Sequence, residues 1–290
     1  MAEGTLHNQP FLVAEDLSAV GTMSLGVAIP IMAALGVPAA ILPTQVLSTQ
    51  TEGFGRPAKQ FSTQWLKETA AHWQNENIQL SGGLIGYVGE VDLLNTLTRM
   101  VLEQQLHPLI VDPVMGDDGA LYPGLSAEYV AAIRQLAVHA DVITPNWTEA
   151  HLLAGIPLTD SVPNETDIAA VFASLTAVLG EHTQIVITGI LDEDRVKTAY
   201  QCHDSLQVIS TKLREGHFYG SGDVFSALLA AAIMCGASFE NAVKIAVKGD
   251  AISLDQTSEA GYQRRFGMQL GRLLAWLSQR VVPKLETMRE

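Results

Sequence analysis

Short apolar runs of strand length alternate along this chain with longer stretches in which apolar residues recur at helical spacing. The alternation predicts strands at 11–14, 39–43, 77–81, 108–111, 141–144 and 184–188. Between them it predicts helices at 22–35, 61–73, 87–105, 126–136, near 147–153 and at 165–179. Repeated strand–helix–strand units require right-handed crossovers, so the expectation is a three-layer α/β/α fold with a mostly parallel central sheet. After Thr188 the rhythm changes. Runs at 195–200 and 206–210, separated by His203-Asp204-Ser205, predict an antiparallel edge, and three helices at about 222–235, 239–254 and 259–280 close the chain. No repeat or long linker divides the 290 residues, so a single domain over 1–290 is expected.

The uncharged stretch from Leu25 to Leu42 reaches the length of a membrane span, but Pro30, Gly36 and Pro38 divide it into a helix and a short buried strand. Composition narrows the partners further. With 48% hydrophobic and 17% charged residues the chain can bury a large core, and a net charge of −14 disfavours nucleic acid and anionic membranes. An anionic ligand would need backbone amides, a cation, or the few bases Lys197, Lys212, Arg214 and Lys248. Two distant cysteines, Cys202 and Cys235, fit neither a disulfide framework nor a thiolate metal site. They suit a reducing cytoplasm, as does an N-terminus without the pattern of a secretory signal.

In a parallel sheet the ligand belongs beyond the C-terminal ends of the strands, and the polar clusters fall there: Asp16, Asp112, Thr144 with Asn146, and Thr188. The most informative segment is Gly220-Ser221-Gly222-Asp223, set directly before an apolar helical run. Small residues there let three backbone amides converge at a helix start, which suits a phosphate with Asp223 as a base beside it, and which equally describes a plain turn before a helix whose dipole favours an acid. Asp112, Asp117 and Asp118 crowd a Gly- and Pro-bearing loop suited to a hydrated Mg2+. In Thr144-Pro-Asn-Trp-Thr-Glu-Ala150, Asn146 and Glu149 stand three apart, which equally describes an ordinary helix N-cap. Gly-x-x-x-x-Gly-Lys-Ser/Thr does not occur, and Asp16-Leu-Ser-Ala-Val-Gly21 lacks the dinucleotide fingerprint.

Together, Asp112-Pro-Val-Met-Gly-Asp117, Thr144-Pro-Asn146 with Glu149, Gly220-Ser-Gly-Asp223 and Leu42-Pro-Thr-Gln-Val-Leu-Ser-Thr-Gln-Thr51 resemble the ribokinase-like superfamily and, within it, the pyridoxal (vitamin B6) kinases. The resemblance implies ATP-dependent phosphorylation of the 5′-hydroxymethyl group of a B6 vitamer. It implies Asp223 as base, an anion hole of Gly220, Ser221 and Gly222, and an ATP site of Asp112, Asp117, Asn146, Glu149 and Thr188. Asp112 and Glu149 would order Mg2+ through water, and Asp16, Thr51 and Tyr122 would meet the substrate, with 115–123 closing over the nucleotide. A monovalent cation is a further candidate cofactor. A homodimer is a family expectation, consistent with the apolar stretches Leu25–Leu42 and Leu84–Val88. The chain departs from the family where His commonly replaces Gln50, an aromatic replaces Gly83 and Ser replaces Asp16, which bears on the ring pocket. Two alternatives stand beside this reading. One is a hydroxymethylpyrimidine kinase of thiamin metabolism, in which Cys often takes the place of Asp223. The other is a non-catalytic binder of vitamer or nucleotide. Scattered histidines show no metal-ligand spacing, and His217 alone lies near the anion turn.

Overall fold

A computed structural model describes residues 9–51, 53–158, 162–202, 205–261 and 263–287. The N-terminal stretch before residue 9 and His203-Asp204 of the expected hairpin turn lie outside the described residues. In chain order the elements are β1 (Phe11–Ser18), α1 (Leu25–Ala34), β2 (Ala39–Leu47), β3 (Lys59–Phe61), α2 (Thr63–Asn75), β4 (Gly83–Ile85), α3 (Val91–Gln104) and β5 (Leu109–Val111). There follow β6 (Gly116–Asp117), β7 (Ala120–Leu121), α4 (Ala127–Ala137), β8 (Val142–Ile143), α5 (Trp147–Ala154), α6 (Glu165–Leu179) and β9 (Gln184–Asp192). The chain continues with β10 (Arg195–Cys202), β11 (Ser205–Lys212), α7 (Ser221–Met234), α8 (Phe239–Glu259), α9 (Gly271–Trp276) and α10 (Val282–Thr287).

Nine strands form one sheet in the order β11-β10-β9-β8-β5-β4-β1-β2-β3. The six central strands, β9 through β2, are mutually parallel, and the β9–β10–β11 meander is antiparallel as expected. The opposite edge is antiparallel too, through β3 on β2, which the sequence rhythm did not predict because three exposed residues carry no burial pattern. Side chains alternate between two buried layers, as the pleat dictates. Phe11, Val13, Ile110, Val142 and Val186 pack with α1, α7, α8 and α9, whereas Leu12, Ala14, Leu109, Val111, Ile143 and Ile187 pack with the layer of α3 to α6.

Three expectations need correction. The strand placed at 77–81 lies at Gly83–Ile85, entered through a crowded glycine: a Cβ on Gly82 would stand 2.6 Å from the Pro108 carbonyl. The helix expected at 259–280 is broken. Gly261 and Gly267 both take positive φ, and Gly267 runs so close against the Thr22 backbone that a side chain has no room. Finally, Leu84, Ile85 and Val88 are fully buried, so the apolar side chains of Leu84–Val88 belong to the core, with Tyr87 alone half-buried. The stretch Leu25–Leu42 resolves as foreseen into α1 and the start of β2, and no helix among the described residues is long and apolar enough to cross a membrane.

Candidate active site

The C-terminal ends of β1 and β5 and the first turn of α7 meet at one edge of the sheet. Gly220 takes φ 92 and serves as the N-cap of α7, where a Cβ would press on Thr22 O and Met23 Cβ at 3.1 Å, so only glycine makes this entry. Gly222 is exposed, and Asp112 Oδ2 stands 4.0 Å from where its Cβ would be, which brings the end of β5 against the anion turn. The Ser221 amide is directed at Phe218 O at 3.4 Å, a long contact, while the helix itself provides no acceptor for the Gly222 and Asp223 amides. The Ser221 hydroxyl faces α8 and donates to Asp250.

Asp223 is gripped by a residue distant in sequence. The Ser24 backbone N–H donates to its Oδ2 at 2.7 Å. To present that amide Ser24 adopts φ 44, ψ −125, a left-handed conformation unusual for a residue with a side chain, at a buried position just before α1. Burial pushes the Asp223 carboxyl above its ordinary value, and the Ser24 amide pulls it part of the way back. The Ser24 side chain also hydrogen-bonds Asp16, which burial, helped by the Asp223 charge, raises to about 6.

Burial and the Asp223 charge push Asp112 up to about 7, with the Ser226 hydroxyl opposing. Burial and then the Asp112 charge hold Glu149 well above the usual carboxylate range. Sequence reasoning missed the remaining acid, Glu15. It is 1% exposed in β1, both its oxygens lack a partner among the described residues, and its Oε1 lies 2.9 Å from a would-be Cβ on Gly86. Burial, followed by the Asp223, Asp112 and Asp16 charges, raises its carboxyl well above the usual carboxylate range. The only signal in the sequence was an acid directly after the apolar run 11–14.

Asn146 fulfils the N-cap reading: its Oδ1 accepts from Glu149 N at 2.8 Å, and Glu149 Oε2 accepts from Asn146 N at 2.9 Å, a complete capping box. The same turn also anchors the loop that follows Asp112. Asn146 Nδ2 donates to Gly116 O at 2.8 Å, Glu149 Oε1 accepts from Met115 N at 3.0 Å, and Thr148 Oγ1 accepts from Gly119 N at 3.0 Å. The loop is a tight hairpin, β6–β7, turning on Asp118 (φ 48) and Gly119 (φ 79), the signs a type I′ turn needs. Asp118-Gly119 was the legible signal for it. Asp117 lies at its tip, raised by burial, with His217 Nδ1 3.9 Å away, and Tyr122 closes it through its amide on Met115 O at 2.9 Å. Thr188 bridges to Asn146, its amide donating to Pro145 O at 2.9 Å.

The structure therefore joins Asp16, Asp112, Glu149, Gly220–Gly222 and Asp223 at one centre, with Asp117, Asn146 and Thr188 on its β6–β8 side. Thr51 is exposed on a bend, and among the described residues no hydrogen bond links it to the acids. Its neighbour Gln50 is buried and donates to Arg265 O at 2.9 Å. Two of the expected basic helpers are engaged elsewhere, Lys197 with Asp192 and Arg214 with Asp255. Among the described residues no three His, Cys, Asp or Glu side chains converge as a metal cage. With both Glu149 oxygens already accepting amides, Asp112 and Glu149 suit a Mg2+ that keeps its own water.

Comparison with known proteins agrees with this architecture. The family model for phosphomethylpyrimidine kinase matches residues 29–264. A pyridoxal kinase structure from Lactobacillus plantarum superposes with TM-score 0.88 at 37% identity, covering 93% of this chain and 96% of that one. A Bacteroides thetaiotaomicron protein described as a phosphomethylpyrimidine kinase, in a crystal form with pyridoxal, superposes at 0.84 with 26% identity, covering 93% and 96%. The hydroxymethylpyrimidine/phosphomethylpyrimidine kinase of Haemophilus influenzae is 31% identical over 59% of this chain and 63% of its own. The pyridoxine/pyridoxal/pyridoxamine kinase of Bordetella pertussis is 27% identical over 83% and 87%. The chain thus spans less than two thirds of the Haemophilus protein and most of the Bordetella one. It belongs to the phosphomethylpyrimidine kinase family, within the ribokinase-like superfamily that also holds the pyridoxal kinases.

Proposed function

We propose that this protein transfers the γ-phosphoryl group of ATP to the 5′-hydroxymethyl oxygen of a B6 vitamer. One observation carries the reading: a partly buried carboxylate, Asp223, fixed by the Ser24 amide and set in the first turn of a helix whose small N-terminal residues leave amides open to an anion. The likeness to the Lactobacillus pyridoxal kinase over nearly the whole chain, and to a protein crystallised with pyridoxal, supports the choice of substrate.

In this reading the vitamer's hydroxyl oxygen attacks the γ-phosphorus in line, the bond to the β–γ bridging oxygen breaks, and ADP leaves with that electron pair. Asp223 Oδ1 takes the hydroxyl proton late, since a carboxylate is a weak base, and positioning supplies most of the acceleration. The first-turn amides of α7 receive the charge that grows on the transferred group. Mg2+, held through water by Asp112 and Glu149, would neutralise the phosphate oxygens. Asn146 contributes by holding the β6–β7 hairpin in place, its own amide being engaged on Gly116. Tyr122 and Asp117 at that hairpin then border the nucleotide.

Hydroxymethylpyrimidine is the second reading, favoured by the family model and by the Haemophilus relative. Both substrates offer a hydroxymethyl group on a nitrogenous ring, and an acid at position 16 suits a protonated ring or an amine. ADP formation with Mg·ATP and K+ against pyridoxal, pyridoxine, pyridoxamine and hydroxymethylpyrimidine decides between them. Turnover of a B6 vitamer is expected. Turnover of the pyrimidine alone would move the protein to the second reading, and ligand binding without turnover would make it a binder. A homodimer in the cytoplasm completes the proposal. Exposed Ile29 on α1 and Val46 and Phe61 on the β2–β3 edge are among the exposed apolar positions open to a second subunit, and sedimentation would show it.

A further inference from the structure

The geometry points to Asp250 as a positioning residue for the anion turn, an assignment that rests on the kinase reading above. Asp250 belongs to α8, far from the motifs that marked the site in the sequence. Its carboxylate nevertheless accepts the Ser221 hydroxyl through both oxygens, at 3.1 and 3.2 Å, and so ties the first residue of α7 to its neighbouring helix.

The local sequence is built for this reach. Gly249 sits where α8 meets α7, and a Cβ there would stand 2.5 Å from Leu228 Cδ1 and 3.0 Å from Leu273 Cδ1, so the missing side chain lets the helices close. Asp250, the next residue, is thereby carried to the start of α7. Arg214 places a positive charge near Asp250 while its guanidinium bonds Asp255 Oδ1 at 2.7 and 2.9 Å and Lys212 O at 2.7 Å.

The consequence concerns what holds the phosphoryl group. A hydroxyl has one hydrogen, and Ser221 gives it to Asp250. Ser221 therefore does not donate its hydroxyl to the transferred group; it tethers the turn, and recognition of the anion falls to backbone amides at Gly222 and Asp223. Releasing the tether lets the first turn of α7 drift, and a small misplacement of these donors weakens the grip on the γ-phosphate without touching the vitamer.

The test compares D250A, D250N, S221A and the D250A/S221A double variant. Calorimetry with Mg·ATP and Mg·ADP gives the preference for the nucleotide that carries the γ-phosphate, and steady-state assays give kcat and the vitamer KM. D250A and S221A are each expected to lower the ATP-over-ADP preference and kcat by about tenfold, the scale of one charge-assisted hydrogen bond, with vitamer KM unchanged. The double variant falls no further than either single one, because both remove the same bond. D250N keeps an acceptor oxygen and recovers most of the loss. Four results overturn the proposal: an unchanged preference in D250A, additive losses, no recovery in D250N, or a wild type that binds ATP no better than ADP. A wild type that prefers ATP but turns over no vitamer counts against the substrate instead.

Discussion

The residue that organises this site is Ser24. It holds a conformation that L-residues avoid, at a cost on the order of 1–3 kcal/mol, and uses it to aim an amide at Asp223 while its side chain meets Asp16. Glycine adopts such a backbone freely, so S24G is expected to raise the thermal midpoint, while its amide still reaches Asp223. A lower midpoint would mean that the Ser24 side chain outweighs the strain. Glu15 gives a second test. Burial and the neighbouring acids push its carboxyl well above the usual range, so as pH rises past the ordinary value the fold must either keep a proton there or bury a charge. E15Q removes that penalty and should raise the midpoint more at pH 8 than at pH 5; equal shifts at both would show that Glu15 titrates normally. Asp223 was legible because its small neighbours and the apolar run after it announce a helix start. Ser24 and Glu15 were not, because strain and burial of an acid arise only when distant segments fold together.

At the scale of elements, the sheet rhythm was readable from apolar runs, and the misplacements have physical causes. The strand expected at 77–81 lies at Gly83–Ile85, where the close approach of Pro108 and Phe11 leaves Gly82 no room for a side chain, a packing demand that composition does not display. The β6–β7 hairpin went unpredicted although its Asp118-Gly119 pair names the turn; two-residue strands are too short to carry alternation. That hairpin hangs on the first turn of α5. N146A removes the cap of α5 and the donor to Gly116 together, so a loss of about 1–2 kcal/mol in denaturant unfolding is expected, together with a raised KM for ATP. Loss of stability with an unchanged ATP KM would separate the hairpin from the nucleotide.

Across the whole molecule, an excess of acids meets at a centre meant for an anion, which makes stability depend on pH. Asp16 at about 6, and Asp112 and Asp250 at about 7, lie above the ordinary 3.8, so between pH 4 and 7 the folded protein keeps protons that the unfolded chain has released. Stability contributed by these groups is therefore greatest at the acid end and is lost as pH rises through that window. For the metal-free protein the thermal midpoint should fall from pH 5 to pH 8, and D112N should flatten the fall; a midpoint that climbs with pH would contradict the buried-acid account. In the proposed reaction Asp223 accepts a proton from a B6 vitamer's hydroxymethyl group during phosphoryl transfer. That step is tested most directly by measuring vitamer-dependent ADP formation in wild type and D223N at equal ATP occupancy. The account predicts retained ATP binding and turnover lower by at least about a hundredfold in D223N. Turnover in D223N close to that of wild type would contradict it.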